Sequence, residues 1–424
     1  MASEALTKDQ RKAFIAAWLG WAFDGLDGFL YSLVAVPFVA ELLQTKASDP
    51  EVAKKAALIQ AVFLIGWAFG GAFFGRIGDK LGRTKTLTLT VLVYALFTGM
   101  SALATTWWML MGFRFLAALG IGGEWAAGSS LVSETLHSKH RAWASALLQS
   151  GYMCGMILAA LTIGWMGAFE SYRYVFLVGV LPALMTVWIR KAVPEPEEWK
   201  GERVHRDPPP ISSLFKKGIV GTTVLTAVFV SICLTTVWAF VYFSNPILRG
   251  LPEVKSMQKA DADALIRNVT IIFTLWNIAA NFLSTYTAKY IGYKRAFSIF
   301  MALTFACCYF GYRDGGPKTV EDAQFWFNVT SFIVAGVFGI FPLYIPRLFP
   351  TLIRTTGAGF CYNFGRVIAA FGSIFGGAVA AAGNSSAAIY YIGFLAIPGI
   401  FIGYLMPEIP YSEEIAEGTM LAES

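Results

Sequence analysis

The sequence predicts an all-α integral membrane protein with twelve transmembrane helices in two pseudo-symmetric six-helix bundles. Three features of the chain point there. It has 424 residues, 56% of them hydrophobic and 14% charged, with mean hydropathy +0.58. A soluble protein carries roughly 25% charged residues. The apolar residues recur in stretches of about 20, the length that crosses a bilayer as a helix, without the period-two alternation of a barrel. Short basic turns containing glycine recur at corresponding places of the two halves.

The polar N-terminus "MASEALTKDQRKAF" runs straight into the first span, so no cleavable signal is expected. The apolar stretches lie near 13–40, 57–78, 85–104, 108–132, 142–164 and 173–192, then 219–247, 268–288, 295–312, 325–346, 355–382 and 385–406. The longest polar interruption, "VPEPEEWKGERVHRDPPPISSLFKK", has prolines, both charge signs and no apolar periodicity, and reads as a linker. The expected division is an N-terminal bundle 1–192, a linker 193–217, a C-terminal bundle 218–407 and a tail 408–424. With a cytoplasmic N-terminus, about two-thirds of the 33 Lys and Arg fall inside, so both termini are expected in the cytoplasm. The net charge of +6 is then loop charge and needs no nucleic acid. Cys154, Cys233, Cys307, Cys308 and Cys361 all lie in apolar stretches and read as small buried hydrophobes, not disulfides.

"GRIGDKLGRTK" (75–85) follows the second span and "STYTAKYIGYKRA" (284–296) the eighth, with Gly82 aligned on Gly292. Such repeats mean two bundles that rock about a central site. With "RFLAALGIGGEW" (114–125) and the acidic endings "VPEPEEWK" and "MPEIPYSEE", these motifs make the chain resemble the major facilitator superfamily over nearly its full length. "FDGLDGF" and "FPTLIRTTGAGFCYNFGR" (349–366) resemble the sialate:proton, aromatic-acid and wider metabolite:proton symporters, and "VLPALMTVWIRKAVPEPEEWK" leans toward the sialate type. Two departures stand out: there is only a linker where the sialic-acid carriers have an enlarged middle region, and "LTTVWAFVYFSNP" lacks the polar signature of the fungal monocarboxylate permeases. The resemblance implies proton-coupled symport of a small organic anion such as sialate, lactate or pyruvate, or an aromatic acid. A proton-independent facilitator or exchanger of organic acids or sugars is the alternative. The implied setting is a bacterial inner membrane and a monomer, with no cofactor or metal.

A charge at mid-bilayer costs about 2.5–3.5 kcal/mol on insertion scales, so it faces a cavity or a partner. Asp24 and Asp27 are three apart and share a face of span one. Arg114 in span four has a depth compatible with Asp27, and the resemblance implies that the two match the acid–base pair relatives use for proton coupling. A static ion pair between the spans is the other reading. Glu124, ten residues deeper than Arg114, reads as a second proton site, a gate residue or a partner for groups near Asp24. Arg366 sits midway along span eleven with Asn363 one turn earlier and Tyr362 adjacent. A guanidinium fork fits a carboxylate, so Arg366 is the expected substrate ligand and Asn363 its orienter, a helix-stabilising Arg bonded to carbonyls of a neighbouring span being the other reading. Gln149 and Tyr152 in span five, and Asn277 and Asn281 in span eight, are same-face pairs that either touch substrate or bond a neighbouring helix. Trp238, Tyr242 and Asn245 in span seven are weaker candidates of the same kind.

The resemblance further implies a cytoplasmic gate of Asp79, Arg83, Glu134 and Arg141. In the second half Lys289 stands where the repeat has Asp79, and Arg347 where relatives usually have Glu, so a weaker latch and easier inward opening are expected. Small-residue spacings at Gly66/Gly70, Gly71/Gly75, Gly151/Gly155 and Gly372/Gly376 read as close helix packing.

Other classes fit poorly. No segment matches Gly-x4-Gly-Lys-Ser/Thr, which argues against an ATPase. His137, His140 and His205, all in loops, supply no catalytic or metal set for an enzyme. Polar residues are too sparse for a channel lining. The sequons at 268, 328 and 384 read as chance matches.

Overall fold

The computed structural model describes residues 5–46, 49–166, 172–382 and 385–409, so most of the tail 408–424 and part of the sequon at 384 lie outside the described residues. The helices are α1 (Lys8–Leu43), α2 (Pro50–Leu81), α3 (Arg83–Ser101), α4 (Trp107–Thr135), α5 (Arg141–Met166), α6 (Val175–Val178), α7 (Leu181–Ala192), α8 (Glu197–His205), α9 (Val220–Gly250), α10 (Pro252–Lys255), α11 (Lys259–Ile291), α12 (Tyr293–Tyr312), α13 (Val320–Gly336), α14 (Phe341–Tyr344), α15 (Arg354–Ala382), α16 (Ser385–Gly393) and α17 (Ala396–Leu405). Every apolar stretch expected to span lies on one helix or on an interrupted run of helix. The sixth breaks at Gly179–Val180, between α6 and α7, and the twelfth at Phe394–Leu395, between α16 and α17. Among the described residues, seven helical runs, two of them joining α13 to α14 and α16 to α17, are long and apolar enough to cross a membrane. Their outward faces carry Phe69, Phe73 and Leu303, apolar surface suited to lipid.

By contacts the chain divides into two compact units. The first joins Met1–His137, Leu148–Ile219 and Ile345–Asn363; the second joins Ser138–Leu147, Val220–Tyr344 and Phe364–Ser424. The first has a core of Leu26, Leu30, Tyr31 and Phe38 against Ile59 and Phe176. The second packs Phe240, Phe273 and Phe327 edge to face, with centroids 5.2–6.5 Å apart.

The linker is less featureless than its sequence suggests. Residues 197–205 form α8 and 211–215 a 3₁₀ turn, because Trp199 is buried and its indole N–H donates to the Asp79 carbonyl. Arg76 is bonded to the Pro208 and Pro209 carbonyls.

The repeat is built as one device used twice. Gly82 (φ 110°) and Gly292 (φ 87°) turn the chain between consecutive helices. The Glu195 carboxylate then accepts from the Thr84 and Lys85 N–H groups (3.1 and 3.0 Å), and Glu408 from Tyr293 and Lys294 (2.6 and 3.2 Å). Each acid caps a helix N-terminus whose orphan donors and dipole favour an anion. A Cβ at Gly82 would lie 2.4 Å from the Glu195 carboxyl. Gly82→Ala therefore meets both a glycine-only backbone and a blocked cap, and is expected to cost about 2 kcal/mol or more. The check is the thermal midpoint of the purified variant; an unchanged midpoint refutes it.

Candidate functional site

In the first unit α2 and α4 cross so closely that Cβ atoms at Gly70 and Gly122 would sit 2.1 Å from the Leu119 and Trp67 carbonyls. Only glycine permits this approach. It draws α4 inward and buries Arg114 completely (0% exposed) beside α1. The Arg114 Nη1 lies 3.0 Å from Asp27 Oδ1, and Nη2 donates to the Asp27 carbonyl at 3.3 Å. Thr98 from α3 donates to the same Oδ1 at 2.6 Å. Phe63 lies 4.6 Å from the guanidinium and Tyr31 5.5 Å, adding cation–π contact in a dry setting. Sequence reasoning missed Thr98, because a threonine in an apolar run carries no signature.

One turn along α1, Asp24 is 0% and Glu124 1% exposed. The two buried carboxyls lie within interaction range of each other, and a hydrogen bond between them requires a proton on one of them. Of the readings open for Glu124, the geometry puts it beside Asp24, where a Cβ at Gly20 would collide with its Oε1. Tyr94 of α3 is near enough to interact electrostatically with Glu124, Asp24 and Asp27, and its buried hydroxyl has no hydrogen-bond partner among the described residues.

Gln149 and Tyr152 are both buried on α5. Tyr152 packs on Trp21 at 4.9 Å and Trp67 at 6.5 Å. Asn363 joins them from α15, where its Nδ2 donates to the Gly122 and Gly359 carbonyls at 3.2 and 2.9 Å. That amide ties α15 to α4, and only its Oδ1 lacks a partner. Tyr362 stacks on Trp125 at 3.9 Å. Arg366 is buried (6% exposed), one turn further along α15 and assigned to the second unit. Asn277 and Asn281 are buried in that unit too, on α11, and neither Asn281 amide atom has a partner among the described residues.

At the α2–α3 turn lies a second charged cluster. Arg83, fully buried, bonds Asp79 at 3.2 Å and Glu134 at 2.8 Å, and donates to the Thr351 carbonyl. Asp79 also accepts from the Thr355 and Thr356 N–H groups at 3.1 and 2.9 Å, at the start of α15. Arg354, a residue sequence reasoning missed, bridges Glu134 at 3.0 Å and Glu198 at 2.7 Å. Burial opposes the charge on Glu198, but the Arg354 guanidinium outweighs it and holds the carboxyl below its ordinary value. Three of the four expected gate residues thus meet here. Arg141, at the start of α5, belongs to the second unit. Arg347 donates to the Ser133 carbonyl at 3.1 Å, next to the α4 C-terminus, where a cation suits the dipole. Lys289 is solvent-exposed and lies over the Tyr286 and Tyr290 rings.

The comparisons with known proteins agree with this architecture. The Major Facilitator Superfamily model matches residues 17–258, more than half of the chain. The protein belongs to the major facilitator superfamily. It is 29% identical over 358 residues to the sialic acid transporter NanX of Escherichia coli, covering 84% of each chain. It is also 29% identical over 378 residues to the "Probable 4-methylmuconolactone transporter" of Cupriavidus pinatubonensis, covering 88% of this chain and 84% of that one. In fold it is similar to the proton:xylose symporter XylE, with TM-score 0.73 and 18% identity over 95% of this chain and 97% of that one. This superfamily member is a multi-pass membrane transporter and not an enzyme.

Proposed function

We propose that this transporter carries a small organic anion together with protons by alternating access. The observation that carries the reading is the placement of Asp24 with Glu124 and of Asp27 with Arg114 inside one dry bundle. Two adjoining buried carboxyls repel each other when both are ionised, so the pair favours holding one proton. An anion arriving beside it repels the remaining negative charge, and taking up a further proton relieves that repulsion. Proton and anion therefore bind together. Relatives named for sialic acid and 4-methylmuconolactone support the organic-acid class. Arg366 is the proposed carboxylate ligand, with Asn277 and Asn281 as further polar contacts. The proposed setting is a bacterial inner membrane with both termini cytoplasmic, and the protein acting as a monomer.

The test is uptake into proteoliposomes with an imposed proton gradient, across carboxylates and neutral sugars. Carboxylate uptake is expected to rise when the outside is acid and to collapse with an uncoupler. Arg366→Lys, which keeps the charge but loses the fork, is expected to raise apparent KM about tenfold or more. Uptake indifferent to the gradient would favour the exchanger reading, which the compact Asp27–Arg114–Thr98 arrangement also accommodates as a structural pair.

A further inference from the structure

Beside the carboxyl pair lies a cluster of flat rings from four helices of the first unit. Trp21 of α1 and Tyr152 of α5 have centroids 4.9 Å apart at 35°. Trp125 of α4 is 6.4 Å from Trp21 and stacks on Tyr362 of α15 at 13°. Such ring sets are common as plain packing. Here the buried indole N–H groups of Trp21 and Trp125 and the Gln149 amide oxygen have no hydrogen-bond partner among the described residues. All three side chains belong to residues only 3% exposed. Buried polar groups are paired in more than nine cases of ten, and the neighbouring Trp21 and Trp125 both keep an unpaired N–H that an oxygen of a bound ligand would satisfy.

We infer that this cluster is the recognition site for a planar, conjugated carboxylate, and that a polyhydroxylated acid is the poorer ligand. The inference rests on the organic-anion reading above and specifies its substrate class. Aromatic rings meet a flat π-system in offset-stacked or edge-to-face contact. Indole N–H groups only donate, so they suit an acceptor such as a carboxylate oxygen. Gln149 offers its acceptor to a single donor on the ligand, a ring N–H or hydroxyl. A sugar acid brings many hydroxyls, and each one buried without a partner costs about 1–3 kcal/mol. The few stranded atoms cannot satisfy them. Trp21 is one turn from Asp24, and Trp125 follows Glu124 directly, which places the stacked ligand next to the proton-holding pair.

The test is equilibrium binding to the purified full-length protein in detergent, with benzoate, cyclohexanecarboxylate and N-acetylneuraminate as probes. Benzoate is expected to bind roughly tenfold tighter than cyclohexanecarboxylate, which matches its charge and size but cannot stack, and N-acetylneuraminate weaker still. Trp125→Phe keeps a ring and loses the N–H, and is expected to weaken benzoate about fivefold while preserving its preference over cyclohexanecarboxylate. Trp125→Leu is expected to erase that preference, which a merely structural tryptophan would not do. Equal binding of benzoate and cyclohexanecarboxylate by the unmodified protein, tighter binding of N-acetylneuraminate, or binding of none of the three overturns the inference. Binding needs no gradient, so its outcome separates from the coupling test. Proton-driven uptake of N-acetylneuraminate without benzoate binding defeats only the substrate class, whereas benzoate binding without gradient-driven uptake defeats only the coupling.

Discussion

Glu124→Gln is expected to abolish proton-driven accumulation while sparing exchange of substrate across the membrane. Glutamine has nearly the shape of glutamic acid, so the approach to Asp24 and the fit against Gly20 are retained. What is lost is the exchangeable proton. A carrier that no longer releases a proton cycles loaded but resets poorly, so net uptake under an acid-outside gradient should fall by about two orders of magnitude or more, in line with the 10²–10⁴ that positioned proton transfer contributes. Counterflow, in which unlabelled substrate inside exchanges for labelled substrate outside, should stay within a few-fold of the unmodified protein and lose its pH dependence. Asp24→Asn should behave alike, since either carboxyl removes the pair. Asp27→Asn should instead lose both net uptake and counterflow, because it strands the buried Arg114 guanidinium, a loss of about 3–5 kcal/mol in stability. Full net uptake by Glu124→Gln at every pH would end the assignment of the pair.

The parts of this arrangement visible in the sequence were those with a chemical contrast. Carboxylates and a guanidinium in apolar runs announce themselves, so Asp24, Asp27, Arg114 and Glu124 were legible, and the fold with them. Their pairing was only partly so. Depth along two helices suggested Asp27 with Arg114, but nothing local joins Asp24 to Glu124 across 100 positions. Thr98, Trp21 and Trp125 look like ordinary lining of a span, and only the structure distinguishes a bonded hydroxyl or a stranded indole. The repeat was legible as Gly82 and Gly292, whereas the capping by Glu195 and Glu408 depended on where distant chain ends return. Arg354 escaped because it opens a span, where a basic residue is unremarkable. Its partners Glu134 and Glu198 lie 220 and 156 positions away.

Arg354 also carries the largest expected conformational effect, if the cluster at the α2–α3 turn is the inner gate. The expected weakness of this latch rested on Lys289 and Arg347, and neither measures what holds the start of α15. Asp79 accepts two backbone N–H groups there, and Arg354 stands between Glu134 and Glu198. Arg354→Ala would leave two carboxylates without the cation between them, with Arg83 still beside Glu134 and Arg347 near Glu198. Removing one partner from a buried ionic network costs about 3–5 kcal/mol, on the order of a 10²- to 10⁴-fold shift toward whatever state lacks these contacts. Glu198 is partly exposed and adds less, and its share has a defined pH sense. Its carboxyl is held below the ordinary value, so its contribution is in force above about pH 4.3, the ordinary Glu value, and is lost only as pH falls through the depressed one. A cysteine placed at the fully buried Ser130, late in α4, reports the opening. A membrane-impermeant maleimide applied to inside-out vesicles should label it at least tens of times faster in Arg354→Ala than in the parent, and Asp79→Asn, which keeps an acceptor for one N–H, should lie between. Equal labelling rates in all three would mean that the cluster only braces the helix ends and gates nothing.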